Sequence, residues 1–435
     1  MTKCRVTVVG GGLAGCEAAL QLLSRGYGVD MYEMRPGKST GAHTTGDLAE
    51  LVCSNSLKSE VGDTASATLK EELDALGCRL LALAREARVP SGAALAVDRA
   101  RFSALTTEAL ASYDAFRLIR EEVTSLPSPP AIIAAGPLMS APLAEALTAA
   151  VGGSRLWFYD AVAPIVDGDS IDYSRAYFGG RYGKGDDYLN LPMEREEYAA
   201  FREALVTART AKLHDFEKRE LFEGCMPIEE IARRGEDAMR FGPLRPVGLR
   251  DPRTGRGAYA VVQLRREHAS GECYNMVGFQ TNLAFPEQDR VFRMIPALEN
   301  AEFLRRGVMH RNTYIGPGVL GADFGLRAAE GLYAAGQISG VEGYVESIMS
   351  GLIAGVSLAR KLSGLPAALP PATTVTGALT AYVAGAGEPF QPMNANFGLL
   401  PPPPEGVRGK ERKKYYRERA VRDIIHFADT ADFRA

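Results

Sequence analysis

The segment Gly10-Gly11-Gly12-Leu13-Ala14-Gly15 constrains the fold of this chain more than any other stretch. It follows a β-branched run, Arg5 to Val9, and opens an amphipathic helix with Ala18, Leu22 and Leu23 on one side and Gly26 as its stop. Gly28 to Glu33 then reads as a second strand, so the three pieces form a βαβ unit of about 30 residues. Gly10, Gly12 and Gly15 match G-x-G-x-x-G. In that pattern the first glycine lets the chain turn sharply out of the strand. The second, lacking a Cβ, lets a pyrophosphate approach the backbone, and the third lets the helix pack close to the sheet. The helix N-terminus offers free N–H groups and a partial positive charge, and Glu33 ends the second strand where a carboxylate can bind ribose hydroxyls. Strand, helix, strand and acid in this order predict a dinucleotide site. Gly316, Gly318 and Gly321 also match the pattern, but Pro317 interrupts it and no clear strand leads through it into a helix. That second match reads as a turn-rich loop.

The fingerprint alone does not distinguish FAD from NAD. Two later features favour FAD. The short apolar strand Ala131 to Ala135, ending at Gly136, resembles the return strand of two-dinucleotide flavoproteins, and Gly336-Gln337-Ile338 lies between a strand and a helix where such proteins make a second flavin contact. Helical patterns cover about Ala65 to Leu76, Arg99 to Ser112 and Val345 to Leu362, while Gly152 to Gly180 reads as a β-rich region. The expected fold is α/β: a Rossmann-like FAD-binding domain, discontinuous in sequence over 1–136 and 311–365. An α+β substrate domain is inserted at 137–310, and a helical extension with a basic tail follows at 366–435.

Composition narrows the class. At 46% hydrophobic and 24% charged residues the chain is an ordinary globular protein, and a net charge of −3 gives no global basic field. The early apolar run is too short for a signal peptide or a membrane span, so a cytoplasmic location without membrane contact is expected. The six cysteines, Cys4, Cys16, Cys53, Cys78, Cys225 and Cys273, are never within four residues of one another. There is no CxxC pair and no zinc spacing, and no metal is expected. Each cysteine is either a small core residue or a reactive thiol. Cys4, Cys16, Cys78 and Cys273 fall in strand or helix patterns and read as structural. Cys53 stands in a polar loop leaving the βαβ unit, and Cys225 in a bent Gly-Cys-Met-Pro segment. Between Arg233 and Arg266 there are nine arginines, no lysine and three acids, and Lys410 to Arg422 carries seven basic residues with Tyr415 and Tyr416 among them. Both stretches are compatible with RNA; the tail is equally compatible with a solvated helix face.

Several stretches together resemble one family. They are Val9-Gly10-Gly11-Gly12-Leu13-Ala14-Gly15, Glu33-Met34-Arg35-Pro36, Leu51-Val52-Cys53-Ser54-Asn55-Ser56-Leu57, Phe222-Glu223-Gly224-Cys225-Met226-Pro227-Ile228-Glu229, Phe241-Gly242-Pro243-Leu244-Arg245-Pro246-Val247-Gly248-Leu249, Asn275 to Asn282, Gly307-Val308-Met309-His310-Arg311-Asn312-Thr313 and Ala335-Gly336-Gln337-Ile338-Ser339-Gly340-Val341-Glu342-Gly343-Tyr344. Over essentially its whole length the chain is similar to the folate- and FAD-dependent tRNA (uracil-5-)-methyltransferases, relatives of the GidA-type tRNA-modifying flavoproteins. The resemblance implies methylation of the T-loop uridine of tRNA at carbon 5. It implies 5,10-methylenetetrahydrofolate as one-carbon donor, FAD as cofactor and NADPH or NADH as reductant, with no obligate protein partner. It carries the two functional cysteines onto Cys53 and Cys225, with Cys225 attacking uracil C6 and Cys53 taking the C5 proton. Cofactor contacts fall on Gly10, Gly11, Gly12, Leu13, Ala14, Gly15, Glu33, Arg35, Gly336, Gln337 and Ile338, and His310 stacks on the folate. Rival readings are a wobble-uridine modifier of the GidA type, a flavin thiol oxidoreductase, and a non-enzymatic RNA-binding flavoprotein.

Overall fold

The computed structural model describes residues 3–431 and 433, apart from 41, 153, 154, 162, 184, 212–225, 268–271, 308, 317, 386–389 and 391, and for 155–161 and 309–313 it describes the backbone only. Strand β1 (Arg5–Val9) runs into helix α1 (Leu13–Ser24) and returns in strand β2 (Gly28–Tyr32). Val6 and Val8, and Val29 and Met31, at alternate positions of their strands, are fully buried, so one face of each strand packs into the core. Gly26, at φ +81°, lets the chain leave α1 in a left-handed turn. Around this unit a parallel sheet forms in the order Leu332–Ala334, Ala131–Ile133, β1, β2, Phe116–Ile119. One edge strand therefore comes from about two hundred residues further along the chain than its neighbour.

The intervening chain builds a six-stranded sheet, Tyr177–Phe178, Tyr188–Met193, Ala260–Arg266, Cys273–Met276, Ile165–Asp167 and Phe303–Arg305, with antiparallel neighbours throughout. It has a core of its own, in which Phe279 meets Phe292 edge to face at 5.5 Å and Phe201 at 6.2 Å. The strands Arg155–Ala161 and Met309–Ile315 pair as a two-stranded antiparallel ribbon. The fold class expected from the sequence, α/β with a parallel sheet, is the one observed. The second G-x-G-x-x-G match lies in a stretch of turns and bridges, as its proline indicated.

The helix Tyr344–Leu362 is buried almost all round, which explains its run of small and apolar residues. It crosses α1 closely. A Cβ on Gly351 would overlap the Ala14 carbonyl, and one on Gly355 would lie 3.0 Å from the Ala18 carbonyl oxygen.

The tail differs from its sequence reading. Its helix spans Gly409–Thr430 and docks on the helix Ala65–Ala75. Arg417 pairs with Glu71 at 2.9 Å, and Arg419 is buried with Nη2 donating to the Pro401 carbonyl at 2.8 Å. Part of the basic run therefore serves intramolecular docking and is not open to RNA. Among the described residues, no helix is long and apolar enough to cross a membrane.

The helix crossing gives the first prediction. Gly351→Ala should destabilise the protein by about 1–3 kcal/mol through overpacking. Gly385→Ala, where an added Cβ meets nothing within 4 Å, should stay near wild type. Denaturant unfolding of the two variants side by side measures the difference.

Candidate functional site

Each fingerprint glycine has its own steric reason. Gly10 sits at φ +104°, and a Cβ there would overlap the Ala134 carbonyl at the end of the neighbouring strand. A Cβ on Gly15 would overlap the Gly10 carbonyl, so only glycine lets α1 start so near the turn. Gly12 is the opposite case. It caps α1 in an ordinary extended conformation, and nothing lies within 4 Å of its missing Cβ. Its absent side chain leaves an open approach to the backbone. No side chain caps the first turn of α1, leaving its orphan N–H groups for an anion.

This turn opens onto a cleft whose empty space, counted to its open mouth, is about 790 Å³. Gly12, Leu13, Ala14, Gly336, Gln337, Val52 and Tyr344 are among its lining residues. A smaller recess of about 340 Å³ shares Gly10, Glu33 and Met34 and ends at Ser140 and Leu143. The turn Gln337–Ser339 follows Gly336, whose φ of +83° and N–H bond to Ser350 Oγ at 2.7 Å fix its direction. Ile338 is fully buried in the core, so only its backbone is available to a ligand. The helix Tyr344–Leu362 begins at Gly343 without a side-chain cap, and its residues Tyr344 and Ser347 line the same cleft. Two uncapped helix N-termini thus border one cavity.

Glu33 is only 6% exposed. Its Oε2 accepts from Gly11 N at 2.9 Å and Arg35 Nη2 at 3.1 Å, and its Oε1 accepts from Arg35 N at 3.0 Å and Arg35 Nε at 2.9 Å. Burial pushes this carboxyl up, but the bonds and charge of Arg35 and the Gly11 N–H outweigh it and hold the group below its usual range. Arg35, 2% exposed, reaches on to Glu50 at 2.8 Å. A carboxylate has about four acceptor positions, and here all four are taken. A ribose hydroxyl bound at Glu33 must therefore replace one of these donors.

Cys53 is half-buried on the loop beside the cleft. Its N–H donates to the Tyr344 hydroxyl at 2.7 Å, and that of Ser54 to the same oxygen at 3.1 Å. From the other side Arg99 Nη1 donates to the Leu51 carbonyl and Arg305 Nη2 to the Val52 carbonyl, both at 2.6 Å. Arg99 is paired with buried Glu267 at 2.6 Å. Burial, then the nearby Arg99 charge, lowers the pKa of Arg305. Asn55, fully buried, donates to the carbonyls of Arg266 at 2.8 Å and Val97 at 3.1 Å, and accepts from Arg265 Nε at 2.7 Å. Lys58, beyond it, pairs with buried Glu346 at 3.1 Å.

The structure brings Gly10, Gly12, Leu13, Ala14, Glu33, Arg35, Gly336 and Gln337 to one cleft, with Cys53 next in the chain to its lining residue Val52. Cys225 lies outside the described residues. His310 stands opposite Asp160 in the two-stranded ribbon, and its side chain lies outside them too. Of the remaining cysteines, Cys4 is exposed and the other three are buried. Burial pushes Cys16 up to about 12, Cys273 to about 11 and Cys78 well above its ordinary value, as for inert core thiols. Sequence reasoning missed Tyr344, Arg99 and Arg305. Only Tyr344 left a local signal, standing directly after a glycine at the start of a helix bordering the cleft. The arginine stretch also divides: Arg265 is buried, Arg240 stacks on Tyr259 at 3.6 Å and pairs with Asp237, and Arg253 pairs with Asp251. Among the described residues no group of His, Cys, Asp and Glu is placed to hold a metal.

The parallel sheet, the glycine turn and the double helix terminus define a dinucleotide-binding α/β protein whose cleft ends at a cysteine-bearing loop. A family model described as "Glucose inhibited division protein A" matches residues 5–366. Two crystal forms of Aquifex aeolicus GidA share the fold, with TM-scores of 0.68 and 0.70 at 16% identity, covering 97% of this chain and 73% and 76% of those chains. Proteins named methylenetetrahydrofolate–tRNA-(uracil-5-)-methyltransferase TrmFO are far nearer in sequence. The one from Natranaerobius thermophilus is 52% identical over 98% of this chain and 99% of its own, and the one from Geobacter sulfurreducens is 52% identical with the same coverage. The chain therefore belongs to the GidA family, and within it to the TrmFO family.

Asn55 couples the cysteine loop to the antiparallel sheet through a charged donor. Asn55→Ala should cost about 1.5–3 kcal/mol of stability, the range for a hydrogen bond to a charged group. Denaturant midpoints at constant slope give the value.

Proposed function

We propose that this enzyme methylates carbon 5 of the T-loop uridine of tRNA, with 5,10-methylenetetrahydrofolate as one-carbon donor, FAD as cofactor and NADPH or NADH as reductant. The observation that carries the reading is identity of about half, over nearly the whole length, with proteins named for that reaction. The residues present fit FAD: the open face of Gly12 and the uncapped start of α1 suit a pyrophosphate, and Glu33 with Arg35 stands where the ribose falls. Gly336, Gln337 and the Ile338 backbone would meet the isoalloxazine end. When bound, the flavin supplies the reducing equivalents that turn a methylene group into a methyl group.

The protein's share is activation and positioning. Uracil C5 is a poor nucleophile until C6 is attacked, and the Cys225 thiolate forms that bond. The enolate so made forms the C5–CH2 bond to the one-carbon unit; loss of the C5 proton to Cys53 expels the carrier nitrogen from that methylene, and its reduction to methyl restores the C5=C6 bond as Cys225 leaves C6 as thiolate. Tyr344, Arg99 and Arg305 hold the Cys53 loop by its backbone, which fixes the base relative to the cleft. His310 stacks on the pterin. The division of labour follows the chain: 1–136 and 311–365 hold FAD, 137–310 meets substrate, and 366–435 is the helical extension. The enzyme works in the cytoplasm without an obligate protein partner.

Purified protein given unmodified tRNA transcript, methylenetetrahydrofolate and NADPH should produce 5-methyluridine, scored by nucleoside digestion. Cys53→Ala and Cys225→Ala should each lower the rate at least about a hundredfold. Product retained in Cys225→Ala would overturn the nucleophile, and a modified wobble uridine in place of the T-loop product would overturn the reaction. Gly12→Ala should purify without its yellow colour yet unfold at the temperature of flavin-free wild type, because the added methyl meets no protein atom and fills the approach to the backbone. Full flavin content in that variant would move the pyrophosphate elsewhere.

A further inference from the structure

A second concave surface lies on the antiparallel sheet, outside the cleft. It is an open groove of about 1320 Å³ between the segment Phe178 to Gly185 and the segment Pro246 to Ala258. Two aromatic rings face it. Tyr182 is 70% exposed, and Phe178 is 36% exposed. Together they form an exposed aromatic patch, the kind of surface that marks an interaction site.

Tyr182 is held in place. Its backbone sits at φ +59°, ψ +31°, a left-handed conformation unfavourable for a bulky residue, and its N–H donates to the Gly248 carbonyl at 2.7 Å. The ring lies against Gly248, itself at φ +84°; a Cβ there would come within 3.0 Å of it. One ring face is thus backed by a bare α-carbon. Strain of this kind persists where the surroundings impose it, and it concentrates at ligand sites. Phe178 is backed in turn by Arg266, whose guanidinium lies 5.2 Å from its centroid, and it stacks on Tyr173 at 6.4 Å. Arg266 Nε is buried and has no hydrogen-bond partner among the described residues.

The charge around the groove is predominantly positive. From Leu244 to Ala258 the chain carries Arg245, Arg250, Arg253 and Arg256 against the single acid Asp251, and all four arginines are exposed. Of the acids in the facing loop, Asp187 is turned to the Gly92 N–H, and Asp186 is exposed. Flat aromatic faces beside guanidinium groups suit unstacked bases and their phosphates. The surface also connects to the cysteine loop: the carbonyl of Arg266 accepts from Asn55, two residues after Cys53.

We infer that this groove is the docking surface for unpaired nucleotides of the tRNA loop, with Tyr182 and Phe178 as stacking platforms and Arg250 as a phosphate contact. The inference rests on the methyltransferase reading. A uridine that leaves its stack to reach Cys53 leaves neighbours without partners, and these rings replace the lost stacking. Tyr182 here is a positioning residue and touches no reacting atom.

The test uses flavin-loaded enzyme and tRNA transcript. Tyr182→Ala should weaken tRNA binding about tenfold and raise the KM for tRNA in step. Flavin content and the KM for methylenetetrahydrofolate should not change. Tyr182→Phe, which keeps the ring, should bind as wild type. Arg250→Gln should reduce the slope of log affinity against log salt by about one. Wild-type affinity in Tyr182→Ala, or a rise in the folate KM alone, overturns the surface while wild-type methylation keeps the reaction. Tyr182-dependent binding without any 5-methyluridine from wild type keeps the surface and overturns the reaction.

Discussion

The close crossing of α1 on the helix Tyr344–Leu362 is the contact on which the rest of the site depends. It exists because Gly351 and Gly355 present no side chain to the Ala14 and Ala18 carbonyls. Packed backbone on backbone, the two helices direct their N-terminal ends at one cleft, α1 through Gly12, Leu13 and Ala14, its neighbour through Tyr344 and Ser347. Each end carries about half a positive charge and several unpaired N–H groups. A wider crossing would separate them. The parallel sheet adds what the helices cannot: β1 and the strand Ala131–Ile133 end side by side, so the Gly10 turn nests against Ala134 and Ala135.

The cysteine loop is held from both sides. Tyr344 belongs to the helix that borders the cleft, while Arg265, Arg266 and Arg305 belong to the antiparallel sheet. Such buried charges are costly to desolvate. Arg99 is offset by Glu267, and Arg265 by Asn55. Burial lowers the pKa of both Arg265 and Arg305, and Arg305 directs its hydrogen bond to the Val52 carbonyl. Directional bonds to successive carbonyls and N–H groups fix the register of the chain around Cys53.

What was legible in the sequence was local. The glycine turn, the two strands, Glu33 and the buried helices each follow from periodicity or from residues within one βαβ unit. The partners of the cysteine loop are remote: 291 residues separate Cys53 from Tyr344, 253 separate Val52 from Arg305, and 210 separate Asn55 from Arg265. No spacing rule spans such distances. The basic tail misleads for the same reason. Arg417 reads as a free charge among neighbours of like sign until the fold brings Glu71, 346 residues away, within 2.9 Å. In the arginine stretch, Arg265 and Arg250 look alike in sequence, yet one is buried against Asn55 and the other lines an open groove.

The cysteines show how one residue type is sorted by surroundings. Cys16, Cys78 and Cys273 lie where burial raises the cost of a thiolate, and Cys78 also faces Glu17 at 3.4 Å, whose carboxylate opposes ionisation further. None of the three can serve as a nucleophile at neutral pH without first being exposed. Cys53 differs in kind. It is half-buried, its own N–H is engaged by a phenol, and the nearest ion pair supplies a guanidinium. The fold therefore buries three of the thiols and leaves Cys53 half-buried on a loop clamped through its backbone beside the cleft. Selectivity among chemically identical side chains is here a property of packing, established before any substrate binds.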